Sequence, residues 1–291
     1  MSNLTQRILV AAIGIPIVVY ICFQSFSLLG LSLIIALLAV HEFYGLAKAK
    51  GFVPQVAIGM ALTAAIVLGF APFRLHIHSE TSDLMPLLLI AGVIATMTAE
   101  MFRGYPNPIV QISTTLAGAV YVGVGLGGFF GVHEYFFIHA ALGSASMATS
   151  EISLQAGYFT VSMLASIWIC DSAAYFIGKP FGKHKIAPSI SPNKSWEGGI
   201  AGLIAAIATW AAARALIPEL AGISIVTVFA MGIIVGVLGQ IGDFAESLLK
   251  RDAGVKDSSS LIPGHGGVLD RIDSILFVAP ITYFYLSVFG V

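Results

Sequence analysis

Charge is scarce in this sequence: 14 Lys and Arg stand against 15 Asp and Glu in 291 residues, a net of -1. No bulk field of either sign exists, so nucleic acid is not an expected partner and any electrostatic function must be local. Cysteine is nearly absent. Cys22 and Cys170 each lie inside an apolar run, which excludes a disulfide framework and leaves both as small buried hydrophobes. No repeat or low-complexity tract stands out. The stretch after Arg7 lacks a small-residue cleavage site before the next apolar run, so it reads as a retained span and not a secretory signal. What the chain has in excess is apolar side chain: 57% of its residues, with a mean hydropathy of +0.93. A soluble domain of this size cannot bury that much, so the chain belongs in lipid.

A hydrocarbon core of about 30 Å takes about 20 helical residues per crossing. Nine apolar runs approach that length, at 8–23, 26–40, 56–71, 84–99, 109–131, 158–177, 199–217, 223–249 and 272–290. The first two make one stretch of about 50 Å, too long for one crossing, and Gln24 and Ser25 are its only polar break. The expected fold is therefore an all-α polytopic membrane protein of about nine transmembrane helices, its N-terminus cytosolic and its C-terminus on the outer side. Lys and Arg accumulate in cytoplasmic loops. On this topology 12 of the 14 basic residues fall inside, and only Arg74 and Arg214 fall outside. The segment 132–157 then forms an outer loop, with His133 and His139 solvated there, as are His76 and His78. Residues 1–157 form a lipid-facing packing part and 158–291 a catalytic part with two charged cytosolic loops, 178–198 and 250–271. The glycines at 123, 125, 127, 128, 198, 202, 232 and 236 signal close helix packing. They also leave a homodimer open.

An acid near the middle of a membrane helix costs on the order of 2.5 to 3.5 kcal/mol on insertion scales, so each one needs a reason. Asp171 lies eight residues before Lys179, and Asp243 lies seven before Lys250. Each is about 10 to 12 Å from its own cytosolic cation, at one shared depth. The step from Asp243 to Glu246 puts both carboxylates on one helical face, and Asp270 and Asp273 repeat it. Like charges that close can be held ionised by a divalent cation, and oxygen ligands of this kind suit Mg²⁺ with substrate phosphate in its remaining positions. The competing reading is interfacial salt bridging to Lys250, Arg251 or Arg271.

The loop after Asp171 alternates cations with glycine and proline. Gly178 and Gly182 allow the backbone to turn toward a ligand, lysines such as Lys183 and Lys194 supply charge for phosphate, and Ser195 stands at the start of a helix, where free N–H groups favour an anion. Trp196 fits an interface anchor. In the second loop His265 lies between glycines, exposed and able to bind or protonate a phosphate oxygen. His41 with Glu42, at a cytosolic span end, could line the same site.

The run 247–273, SLLKRDAGVKDSSSLIPGHGGVLDRID, resembles the signature of the phosphatidate cytidylyltransferases, also called CDP-diacylglycerol synthases. The run 171–198, DSAAYFIGKPFGKHKIAPSISPNKSWEG, is similar to that family's other recurrent stretch. The resemblance implies an enzyme of the bacterial inner membrane that converts phosphatidate and CTP to CDP-diacylglycerol and pyrophosphate, with Mg²⁺ and with room for a second, monovalent cation. It implies that Asp243, Glu246, Asp270 and Asp273 belong to a metal centre, with Asp171 beside them. Lys250, Arg251, Lys256 and His265 fall in the phosphate-handling part of the signature, while Lys183, Lys194, Ser195 and Arg271 are expected to contact the nucleotide.

Ionised phosphatidate needs no strong general base to attack the α-phosphorus of CTP. The obstacle is repulsion between two anions, which metal ions and basic side chains offset. The nearest rival is a CTP-dependent kinase of a polyprenol-like alcohol. A rival of another class is an ion or proton transporter, since intramembrane acids also mark ion pathways, and a packing scaffold is a third. The cationic loops favour phosphate chemistry, and the preference for cytidine rests on the resemblance.

Overall fold

The computed structural model describes residues 3–71, 84–142, 148–262 and 266–291. Arg74, His76, His78 and His265 lie outside them. In a medium without water the backbone must satisfy its own hydrogen bonds, and each of the nine apolar runs is helical. In chain order they form α1 (Asn3–Ile21), α2 (Ser25–Ala49), α3 (Val56–Gly69), α4 (Leu84–Glu100), α5 (Pro108–Leu142), α6 (Thr149–Phe181) and α7 (Trp196–Leu216). The eighth run is composite: α8 (Ile225–Ile233), a π-helical turn (Ile234–Gly239) and α9 (Gln240–Asp252), followed by α10 (Leu269–Phe289). Among the described residues six helical runs are long and apolar enough to cross a membrane, with α8 to α9 counted as one, and three apolar helices are shorter: Ala11–Ile21, Val56–Gly69 and Met85–Glu100.

Two departures from expectation matter. The first is a short antiparallel hairpin, β1 (Lys185–Ala187) and β2 (Ser191–Ser195), which pairs Lys185 with Ser195 and Ala187 with Ser191. Pro188 cannot extend a helix, and Ile190 N–H closes the turn on Ala187 O at 3.1 Å. The second is the supposed outer loop, most of which is helix, because α5 continues to Leu142 and α6 begins at Thr149. His133 is therefore not solvated but fully buried, stacked between Phe130 and Phe137, whereas His139 is exposed. The division placed after residue 157 falls inside α6.

Helix α5 packs against α2, α3 and α10, and α6 packs along α7. The glycines explain how closely. A Cβ at Gly128 would stand 2.7 Å from Pro280 Cα, one at Gly232 would stand 2.6 Å from Ile207 Cα, and one at Gly236 would stand 2.8 Å from Leu203 Cα. These backbones touch because no side chain separates them. The packing glycines are thus used within one chain and carry no signal for a second copy. Cys22 and Cys170 are both buried free thiols, as their apolar surroundings suggested.

Candidate active site

The end of α6 and the start of α7 cross where Gly178 meets Gly198, and a Cβ on Gly178 would lie 3.3 Å from Gly198 Cα. Gly178 therefore sits inside a helix as a packing residue and does not turn the chain toward a ligand. Gly182 just past the helix end is confined by Gly178 O and Ser195 Oγ in the same way. Ser195, 3% exposed, caps α7 by accepting the Gly198 N–H at 3.3 Å. This crossing folds the hairpin over α9 and the start of α10, and the space between them is a cavity of about 670 Å³.

The cavity gathers most of the residues singled out in the sequence. Asp171 comes from α6, Lys194 and Ser195 from β2, Asp243, Glu246 and Lys250 from α9, and Asp270, Arg271 and Asp273 from α10. Lys183, Arg251 and Lys256 do not line it. Lys183 and Lys256 are exposed outside it, and Arg251 instead donates from Nε to Ile190 O at 3.4 Å, tying the end of α9 to the hairpin tip. His265 lies outside the described residues. His41 is exposed and Glu42 buried, and neither lines the cavity. The lining also includes Lys179 and Lys185, further lysines of the loop expected to meet phosphate, and Asn193, Gln240 and Asp257, which no motif singled out. A polar Gln240 closing an apolar run was a usable signal. The placing of Lys185 and Asn193 needed the hairpin.

Five of the six acids in the cavity part into two groups. Lys250 Nζ bridges Glu246 and Asp270, the latter at 2.5 Å, and the three side chains are 12%, 1% and 4% exposed. The other Asp270 oxygen, Oδ2, accepts from Ser258 N–H at 2.9 Å and Gly267 N–H at 2.8 Å, with Ser258 Oγ also at 2.9 Å. Asp270 and Glu246 thus share one lysine, and the Lys250–Asp270 pair ties α9 to α10. The second group is Asp171, Asp243 and Asp273, from three helices, which repel one another electrostatically. Lys194 Nζ lies 2.6 Å from Asp243 Oδ2 and 4.5 Å from the Phe244 ring centroid, so this carboxylate already accepts a cation.

Gln240 closes the deep end. Its Nε2 donates to Gly199 O at 3.0 Å and to Gly236 O at 2.5 Å, binding α7 to the π-helical turn, whose freed carbonyls need such donors. Ser274 Oγ does the same for Gly239 O at 3.0 Å.

The six acids and five bases of the lining leave it at a formal -1. Such a cavity is not an anion trap by its net charge alone. Among the described residues no three acid, His or Cys side chains are close enough to hold an ion unaided. The oxygen-only set of Asp171, Asp243 and Asp273 nevertheless fits Mg²⁺, which binds through one or two carboxylates and completes its shell with water and substrate phosphate.

Fold and cavity define a class first: a helical membrane protein whose apolar bundle holds a chamber lined by both signs of charge. The sequence profile of the cytidylyltransferase family matches residues 5–289, and the chain belongs to that family. It is 30% identical to a phosphatidate cytidylyltransferase of Thermotoga maritima over 293 residues, spanning 99% of this chain and 98% of that one. A phosphatidate cytidylyltransferase of Synechocystis sp. is 31% identical, spanning 97% and 96%. One from Bacillus subtilis is 47% identical over 124 residues, 43% of this chain and 45% of that one.

Proposed function

We propose that this protein is a CTP:phosphatidate cytidylyltransferase, forming CDP-diacylglycerol and pyrophosphate. The observation that carries the reading is the meeting, in one cavity of about 670 Å³, of acids from α6, α9 and α10 with cations from α6, α7's preceding hairpin, α9 and α10. That volume suits a nucleotide and a lipid headgroup together. The full-length likeness to phosphatidate cytidylyltransferases supports the substrate pair, and neither the polyprenol kinase nor the transporter gains support from it.

On this reading a phosphate oxygen of phosphatidate attacks the α-phosphorus of CTP, a P–O bond forms, and the bond to the β-phosphate breaks as pyrophosphate leaves. No proton has to be abstracted from the nucleophile, so the protein's task is charge and alignment. Asp171, Asp243 and Asp273 would hold Mg²⁺, which when bound offsets phosphate charge as a Lewis acid. Lys179, Lys185, Lys194 and Arg271 screen the nucleotide phosphates and the departing pyrophosphate. Lys250, clamped between Glu246 and Asp270, holds α9 and α10 at the spacing the reaction needs. The capped start of α7 at Ser195 adds backbone N–H groups suited to an anion.

The topology belongs to the same proposal. Nine crossings, with the three short helices spanning by local thinning of the bilayer, put the N-terminus and both motif loops on the cytosolic side of a bacterial inner membrane. CTP then reaches the cavity from the cytosol and phosphatidate from the adjoining leaflet. Purified protein given phosphatidate, Mg²⁺ and each nucleoside triphosphate in turn tests the substrate pair. Nucleotide-linked lipid is expected with CTP. Equal turnover of all four triphosphates, or none, refutes the assignment.

A further inference from the structure

Glu42 lies on α2, outside both charged motifs, and is 6% exposed. Its carboxylate accepts four hydrogen bonds from residues more than 200 positions away. Oε1 accepts from Ser259 Oγ at 2.7 Å and Val268 N–H at 2.9 Å, and Oε2 accepts from Ser258 Oγ at 2.9 Å and Leu269 N–H at 2.8 Å. Val268, at the N-cap of α10, makes no side-chain capping bond. Two of the free N–H groups there are satisfied by Glu42, with the negative charge at the favourable end of the helix. Gly267 passes so close that a Cβ would overlap Glu42 Oε2 and Ser258 Oγ.

We infer that Glu42 is a positioning residue for the active site, a clamp from the N-terminal helices that sets Ser258, Ser259 and the start of α10, and through them Asp270 and Asp273. The inference rests on the proposed transferase reading. Ser258 carries the coupling, since its hydroxyl lies 2.9 Å from both Glu42 Oε2 and Asp270 Oδ2 while its N–H donates to Asp270. Charge and shape both matter. Four donors converge on the carboxylate, whereas an amide offers one acceptor oxygen and turns an NH₂ toward two of them.

The test compares wild type, Glu42→Gln, Ser259→Ala and the double variant in CTP-dependent lipid labelling, with amide hydrogen exchange read alongside. Glu42→Gln is expected to lower kcat ~10- to 100-fold, as small misplacements do, with KM for CTP held within about twofold. The amides of Val268 and Leu269 lose protection while those of α6 keep theirs. Ser259→Ala, which removes one of the four bonds together with the exposed Leu261 N–H bond to Ser259 Oγ, lowers kcat about threefold and adds nothing in the double variant. Unchanged kcat, unchanged exchange at 268–269, or full additivity overturns the clamp. A wild type that makes no nucleotide-linked lipid sinks the transferase reading instead, and the exchange data still decide whether Glu42 holds the start of α10.

Discussion

Lys250 is the residue whose loss the structure prices most clearly. Its ammonium sits between Glu246 and Asp270, which are 1% and 4% exposed. Replacing it with Met in Lys250→Met keeps most of the side-chain volume and removes the charge, leaving two carboxylates face to face without a cation. Breaking a buried pair by removing one partner costs about 3 to 5 kcal/mol. In a chain of this size each kcal/mol moves the melting temperature by about 2 to 4 °C, so a fall of roughly 6 to 20 °C is expected. The assay is thermal unfolding of the purified protein in one detergent, read by intrinsic fluorescence. The second variant sharpens it. Lys250→Met with Glu246→Gln removes one of the two stranded charges and should recover a large part of the loss. A single variant that melts within about 1 °C of wild type, or a double variant no better than the single one, would refute the claim that this lysine holds α9 and α10 together.

Asp243→Asn and Asp273→Asn should each lower turnover by ~10²-fold or more, with unaltered gel-filtration profiles, because neither acid is part of the Lys250 anchor. Asp270→Asn, by contrast, should lose both turnover and thermal stability, since the charge that Lys250 and the loop amides share is gone; a melting temperature equal to that of Asp243→Asn contradicts this division of roles. Chelation of divalent ions should abolish activity, and added Mg²⁺ should restore it, with full activity in excess chelator as the opposing result. Gly236→Val places a branched side chain against Leu203 Cα on α7, so it should destabilise by about 1 to 3 kcal/mol, measured as a lowered melting temperature.

Much of this architecture was legible because lipid enforces a simple rule. Apolar runs near the length of a crossing become helices, so each of the nine runs is helical and six helical runs are long and apolar enough to cross, and acids inside them stood out as needing partners. Asp171 and Asp243 meet in one cavity, as two helices of constant rise with acids at matched distances from their lysines allow. What failed was local. Val132 to Gly157 carries no basic residue, which points to an outer loop, yet its first residues extend α5 and bury His133, since charge distribution reports on sidedness and not on where a helix stops. The glycines at 178 and 182 looked like ligand-binding turns, but tight crossing of two helices demands the same residue. Lys183 and Lys185 are indistinguishable by composition, and only the hairpin decides which of them lines the cavity. Glu42 is legible as a candidate from its place at a span end, but its contacts are not. Its partners are separated from it by most of the chain, and such a contact leaves no trace in spacing.

The most direct test follows the phosphorus atoms. Purified protein in detergent with phosphatidate and Mg²⁺ would be given CTP labelled at the α-phosphate in one reaction and at the γ-phosphate in another, with lipid and aqueous products separated. Attack at the α-phosphorus predicts α-label in the lipid fraction and γ-label wholly in released pyrophosphate. Lipid that carries γ-label, or no label from either nucleotide, contradicts the account.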